Sequence, residues 1–451
     1  TGEKFGGCGT RRDSAATAII AASTHGPGAN TRAAVESGRA GCGWVIGGKA
    51  CACGGLAYRM AFSALSDAAA ASAPFDVLIV GGGLVGASLA IALDGSGRRV
   101  GLLEATPPGA MPAVFDERNL SFAEATVNAL GALGVMARLQ VPGGPIRRIH
   151  ASRAGDFGRV LLDARDHGRE AFGQVVVARD FGAALEARLV DCREFVRLRP
   201  ARVVATRIED GMRSVDVEAD GRTHVLRTRL LVAADGTHGA VRAMLGIDAT
   251  RHDYGHHLVV CRLRTATPPD GTAYERLGPD GPTALLPRGD RRFGLVLGVA
   301  DDALETVMAL DDAAFLAHAQ HAFGWRAGAF LQAGERHAYR ALRQVADALV
   351  APRAVLVGNA AQTLHPVGAQ GFNLGLRDAL SLAELLATHA GDPGDAELLA
   401  RYPALREDDR AQTLRFSDAL ARIGALKGSG AGLLRSAALA AIGRVPSLRD
   451  A

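Results

Sequence analysis

Lysine is almost missing from this chain, occurring only at positions 4, 49 and 427. Arginine carries the basic charge instead, and the formal net charge of +4 is too small to call for a nucleic-acid partner. No apolar run approaches the roughly 18 to 20 residues of a membrane span. Any membrane contact is therefore expected to be peripheral, on the inner face, by a cytoplasmic protein. Cysteine is scarce where a fold is expected: only Cys192 and Cys261 lie beyond residue 60. That excludes a disulfide framework and suits a reducing cytosol. Cys51-Ala52-Cys53 is too tightly spaced for a zinc half-site and no matching His or Cys pair follows, so no metal is expected. What is present is a 451-residue chain, 48% hydrophobic, long enough for two or three domains.

The stretch from Phe75 to Ala105 organises the rest. Asp76 leads into Val77-Leu78-Ile79-Val80, apolar on both faces like a buried parallel strand. Gly81, Gly83 and Gly86 follow in G-x-G-x-x-G spacing. The first permits a tight turn, the second lets a pyrophosphate approach the backbone, and the third lets a helix pack on the strand. Leu84 to Leu93 reads as that helix, its N-terminus offering unpaired N–H groups and a positive dipole end to phosphates. A second strand, Arg99 to Leu103, ends on Glu104, placed to accept hydrogen bonds from ribose hydroxyls. Strand, glycines, helix, strand and acid in that order predict dinucleotide binding in a Rossmann-like α/β domain.

Residues 1–73 carry no sustained period and read as a disordered or non-native extension, with Met60 a plausible natural start. Beyond the fingerprint, Arg118 in Asp116-Glu117-Arg118-Asn119 has two readings, a phosphate partner or a surface ion pair. Glu124 to Leu139 is expected to be helical, Ile146 to Leu162 and 175–177 to be strands, Arg179 to Val190 a helix, and Arg202 to Leu226 a meander. An apolar strand then ends on Asp235-Gly236. His256 to about Ala300 predicts antiparallel sheet, and 311–323 and 327–333 read as helical. Ala354 to Val357 is again strand into turn, at Gly358-Asn359. His365-Pro366 follows, then Gly368-Ala369-Gln370-Gly371-Phe372-Asn373, with Asn373 as N-cap of a helix to about His389. His365 reads either as catalytic or as a turn histidine bonded to the backbone. The helices after Asp392 carry Arg401, Arg406, Arg410, Arg415, Arg422 and Arg435 opposite Leu and Ala. They suit packing on the core or a membrane surface.

The fingerprint, the Asp235-Gly236 turn and the run Gly358-Asn359…His365-Pro366…Gly371-Phe372-Asn373-Leu374-Gly375-Leu376-Arg377-Asp378 together resemble the class A flavoprotein aromatic hydroxylases, of the p-hydroxybenzoate hydroxylase fold, and within them the ubiquinone-biosynthesis hydroxylases. The resemblance implies FAD, held through Gly81, Gly83, Gly86 and Glu104, with Arg118 near its phosphates or ribose and Arg179 opening a helix beside it. It implies that Asp235 and Gly236 serve FAD and NAD(P)H, and that Gly358 and Asn359 meet the ribityl chain, through an amide where the wider family has an acid. Backbone N–H groups of Gly371, Phe372 and Asn373 would face the flavin, with His365 and Pro366 nearest the chemistry. Gly368-Ala369 inverts the family's usual Ala-Gly, leaving an alanine where the loop calls for φ > 0.

The implied enzyme is an FAD-dependent monooxygenase. It would use NAD(P)H and O2 to hydroxylate the ring of a lipophilic, polyprenylated phenol in ubiquinone biosynthesis, with a membrane surface and other proteins of that pathway as partners. A single G-x-G-x-x-G leaves the nicotinamide to bind transiently. The alternatives are a flavin oxidase or dehydrogenase acting on another aromatic, and a non-catalytic flavoprotein subunit. The expected architecture is a discontinuous FAD-binding domain over 74–145, 172–250 and 350–391. A mainly antiparallel β substrate domain over 146–171 and 251–349 is inserted in it, and a helical segment over 392–451 closes the chain.

Overall fold

The computed structural model describes residues 73–425, apart from 156–157 and 193–194. The expected N-terminal extension lies outside this range up to residue 72, as does the tail from 426, Arg435 included.

Val77, Leu78 and Ile79 are wholly buried, as a strand apolar on both faces requires. They form β1 (Phe75–Val80), followed by α1 (Leu84–Ala92), β2 (Val100–Leu103), β3 (Asn119–Ala123), α2 (Glu124–Ala132), β4 (Gly144–Ile146), β5 (Arg148–Arg153), β6 (Arg159–Asp163), β7 (Gly173–Val177) and α3 (Ala178–Val190). Next come β8 (Phe195–Leu198), β9 (Arg202–Glu209), β10 (Met212–Ala219), β11 (Arg222–Ala233), α4 (Val241–Met244), β12 (Ala249–Thr265), β13 (Thr272–Gly278), β14 (Gly281–Pro287), β15 (Phe293–Ala300), α5 (Leu304–Ala309) and α6 (Asp312–Phe323). The chain continues through β16 (Phe330–Ala333), β17 (His337–Ala346), β18 (Val350–Ala351), β19 (Ala354–Leu356), β20 (Gln362–Thr363), α7 (Gln370–Ala387) and α8 (Ala396–Ala425).

The first sheet runs β18-β19-β11-β1-β2-β8. Its centre is parallel, with β1 between β11 and β2. β11 is long enough to serve twice: its first half pairs with β10 in the meander, its second half with β1. α1 packs against both α3 and α7. The second sheet runs β20-β17-β12-β15-β14-β13-β5-β6, with β16 on β12. One of its faces, with Val259, Cys261, Leu285 and Leu295, is buried under Phe315 and Phe323 of α6. The other turns toward the first sheet. There Gly294 lies against Asn119 of β3, and Ala273 packs with Ile146 and Val175. A small sheet, β3-β7-β4, lies between the two: its Phe122 contacts Phe181 of α3 and Phe372 of α7, and its Ile146 and Val175 pack with Ala273 of β13.

Several expectations need correction. The helix from Glu124 stops at Ala132, because Gly134 turns left-handed (φ +75) and Val135 N–H closes on Leu130 O at 2.9 Å. The stretch 327–333 contains no helix. Gly324 and Gly328 are left-handed, and residues 330–333 form β16 against the free side of β12. β20, in the part assigned to the cofactor domain, pairs with β17 of the second sheet.

Candidate functional site

Three glycines of the fingerprint differ in what a Cβ would meet. At Gly81 (φ +103) it would lie 2.5 Å from Ala234 O, and at Gly86 1.9 Å from Gly81 O. The chain's own backbone therefore demands both. At Gly83 the nearest protein atom would be Val114 Cγ1 at 3.6 Å, an ordinary contact. The fold has room for a side chain there, so glycine answers to something other than the protein, at the first turn of α1 where N–H groups have no intrahelical partner. Glu104, 6% exposed, points back into this turn. Its Oε2 accepts Gly82 N–H at 2.7 Å and its Oε1 accepts Thr106 N–H at 2.9 Å. Each carboxylate oxygen keeps a lone pair for a ribose hydroxyl.

Asp235 stands at the carboxyl end of β11 beside Gly81. Its Oδ2 accepts Val241 N–H at 3.0 Å, while Oδ1 is buried without a partner. Burial holds this carboxyl above its usual range. Gly236 follows at φ +84. Gly358 (φ +60) abuts Val85 of α1, as does Gly375 of α7, and its N–H donates to Asp378 Oδ2 at 3.3 Å. Asn359 is exposed in the same turn. Gly368 and Ala369 are both left-handed, at φ +72 and +51, and swing the chain directly into α7. That helix starts at Gln370, so Asn373 is not its cap. Asn373, 2% exposed, instead pins the first turn of α7 in place. It accepts Ala123 N–H and the Thr126 hydroxyl at 3.0 and 2.8 Å, and donates to Ser121 O and Ala369 O at 2.9 and 3.0 Å. Its side chain has nothing left for a ligand. Gly371 faces open space, and Phe372 is fixed on Phe122 and Phe181.

His365 and Pro366 sit differently from a catalytic pair. His365 is 1% exposed. Its Nδ1 accepts Val367 N–H at 3.1 Å, which puts its proton on Nε2, 3.0 Å from His256 Nε2. His256 Nδ1 in turn donates to Tyr254 O at 3.3 Å. Burial, helped by His256, pushes the His365 imidazole down to about 3. Both ring nitrogens are committed, and the backbone hydrogen bond is the reading the geometry favours. Pro366 only opens the short turn before Ala369.

Of the two readings for Arg118, the ion pair is the one formed: Nε lies 2.9 Å from Asp116 Oδ1, with the guanidinium 4.6 Å over the Tyr339 ring. Tyr339 donates to the other oxygen of Asp116. Arg179 is in the first turn of α3, half exposed and paired with Glu117. Arg288 is buried between Asp290 and Asn119 and reaches Glu117 at 3.7 Å. This cluster ties the two sheets together beside the site. Sequence spacing had no signal for it, because Tyr339 and Asp116 are 223 positions apart.

The residues fit a bound FAD. Gly83 and the start of α1 leave the pyrophosphate its space, Glu104 and Asp235 keep acceptors, and Gly371 lies open at the start of α7. The family model described as an FAD binding domain matches residues 74–417. The chain is 37% identical over 355 residues to the ubiquinone hydroxylase UbiL of Rhodospirillum rubrum, spanning 77% of this chain and 81% of that one. It is 30% identical to the 3-demethoxyubiquinol 3-hydroxylase of Escherichia coli, spanning 76% and 86%. The p-nitrophenol 4-monooxygenase of Pseudomonas putida superposes with a TM-score of 0.70 over 84% of this chain and 96% of that one, at 18% identity, a likeness of fold. Cradle, turns and relatives converge: the chain belongs to the FAD-binding family of flavoprotein monooxygenases that includes the ubiquinone-biosynthesis hydroxylases.

Proposed function

We propose that this enzyme uses NAD(P)H and O2 to hydroxylate the aromatic ring of a polyprenylated phenol in ubiquinone biosynthesis. The observation that carries the reading is Gly83, a glycine the fold does not need, set between Glu104 and the start of α1. Bound FAD would supply the redox chemistry, accepting a hydride and activating O2. The chain's part is to bind, orient and protect. The start of α7 would offer the N–H groups of Gly371 and Phe372 to negative charge on a bound flavin, and Asn373 holds that turn still. The apolar face of the second sheet, with Ala284, Val296 and Val260, would present the substrate ring, shielded from water. The split into cofactor and substrate domains would follow the two large sheets, except at β20, which joins the second.

A lipophilic phenol resides in a bilayer, and among the described residues no helix is long and apolar enough to cross one. Peripheral contact through α8 fits. Arg401, Arg415 and Arg422 are exposed there, with Leu405 and Phe416. Arg406 and Arg410 are withdrawn from that role: Arg406 is buried against Asp378, and Arg410 bonds Gln362 and Ala346 O. The decisive measurement is NAD(P)H oxidation with and without a prenylated phenol, with the oxygenated product identified. Peroxide release without oxygen insertion would mark an oxidase, and no NAD(P)H consumption an accessory flavoprotein.

A further inference from the structure

Tyr274 of β13 points under α6, its ring 6.2 Å from Phe293 and 5.6 Å from Phe323. Alternation along the strand sends Glu275 to the opposite face, the one turned toward the cofactor sheet. Its in-register neighbours are Ala151 on β5 and Ala284 on β14. The row continues through Val160 on one side and Val296 and Val260 on the other. A carboxylate thus stands in a row of small apolar side chains. The site region brackets it. Along the same face Ala273 meets Ile146 and Val175 of the bridging sheet, and beyond it Gly281 touches His256, the partner of His365 in the loop leading to Gly371.

Glu275 has no hydrogen-bond or ion-pair partner among the described residues. Its side chain is half-buried, not sealed off, and desolvation by the atoms packed around it is the sole influence on its carboxyl, pushing it up to about 7. The charged or titratable groups that register puts on this face include Arg153 on β5, His256 and Arg262 on β12, and His337 and Tyr339 on β17; His365 meets His256, and α8, which packs against β13 and β14, brings Asp418 and Arg422. Each has its own interactions: His256 with His365, Arg262 with Asp290, His337 with Glu335, Tyr339 with Asp116, Asp418 with Tyr254 and Arg422, and Arg153 with Ala154 O. A partnerless carboxyl in an apolar wall lowers stability. A substrate hydroxyl would supply what it lacks.

We propose that Glu275 binds the phenolic hydroxyl of the substrate and acts as its general base. This rests on the ring-hydroxylase reading above. The phenol O–H bond breaks, its proton moves to a carboxylate oxygen of Glu275, and the electron pair stays on the phenol oxygen to enrich the ring. The proton returns when that oxygen is protonated again. A carboxyl near 7 is a stronger base than an ordinary one and stands closer to a phenol, which ionises near ~10.

The test uses the full FAD-reconstituted chain, a short-chain prenylphenol, and Glu275→Gln with Glu275→Asp. In the wild type, turnover should rise with pH through a limb near 7, and the ultraviolet difference spectrum of bound phenol should carry the red shift of a hydroxyl donating to a carboxylate. Glu275→Gln should keep its FAD, lose the limb, shrink the shift, and turn over about 10²-fold more slowly. It should also melt higher at pH 8, since a half-buried, unpaired carboxylate is gone. Glu275→Asp should retain the shift. An unchanged limb with turnover within about threefold, or an undiminished shift in Glu275→Gln, overturns the assignment. The shift is read without turnover, so it judges Glu275 even if wild-type protein hydroxylates no ring and the functional reading itself falls.

Discussion

Gly83 shows why a single residue has to be judged by its surroundings. Gly83→Val should leave the fold intact, because the protein offers its Cβ an ordinary contact at 3.6 Å, and yet remove FAD by filling the pyrophosphate space. The measurement is melting temperature of the apoprotein beside flavin absorbance. Unfolding of the variant, or retained FAD, would contradict the assignment. Gly86→Val is expected to fail earlier, at folding, since its Cβ would fall on Gly81 O. His365 makes a pH prediction at the same scale. Its folded value of about 3 lies below the ordinary 6.5. Its stabilising contribution is therefore full above pH 6.5 and fades as pH falls toward 3. The melting-temperature advantage of wild type over His365→Asn should shrink between pH 7 and pH 4; a constant gap would refute it.

Among the elements, α7 depends on how its first turn is built. Ala369 holds φ +51, a conformation that costs a non-glycine residue roughly 1 to 2 kcal/mol. Ala369→Gly should relieve that strain, less the entropy glycine brings to the unfolded chain, for a net gain of about 0.5 to 1 kcal/mol. Denaturant unfolding measures it, with FAD content unchanged. A loss of stability would show that the methyl group packs usefully. α8 is held by a buried pair, Arg406 and Asp378, at 2.9 Å. Asp378 also receives Gln362 Nε2–H and Gly358 N–H, so the anchor of α8 reaches the Gly358 turn. Arg406→Met strands a buried carboxylate and should cost about 3 to 5 kcal/mol. It should weaken FAD retention as well. Full flavin occupancy in the variant would uncouple the two.

On the scale of the whole molecule, α8 packs against α7 and against β13 and β14 of the second sheet. Phe416 and Leu420 of α8 lie over Gly368, next to the loop that carries His365 and Gly371. A membrane face here would deliver a lipophilic substrate beside its own pocket. Each basic residue near an anionic surface contributes about 1 kcal/mol. Arg401→Glu with Arg415→Glu should therefore reduce sedimentation with anionic liposomes and slow turnover of a long-chain phenol, while sparing a short water-soluble one. Equal loss with both substrates would place the effect in the fold.

The sequence by itself determined the cofactor half, because every signal there is local. Strand, glycines, helix and Glu104 lie within a single stretch of chain, and backbone sterics force Gly81 and Gly86 wherever a helix turns so tightly off a strand. Even the left-handed Ala369 was legible as an inversion of the expected pair. Tertiary structure decided what distant residues do to each other. It committed His365 to Val367 and His256, paired Arg118 with Asp116 under Tyr339, turned Asn373 from a helix cap into a brace on β3, and made residues 330–333 a strand because β12 offered them a ladder. It also set Glu275 in an apolar row. No spacing along β13 announces that row, since apolar neighbours and the lack of a partner are properties of what the other strands bring alongside.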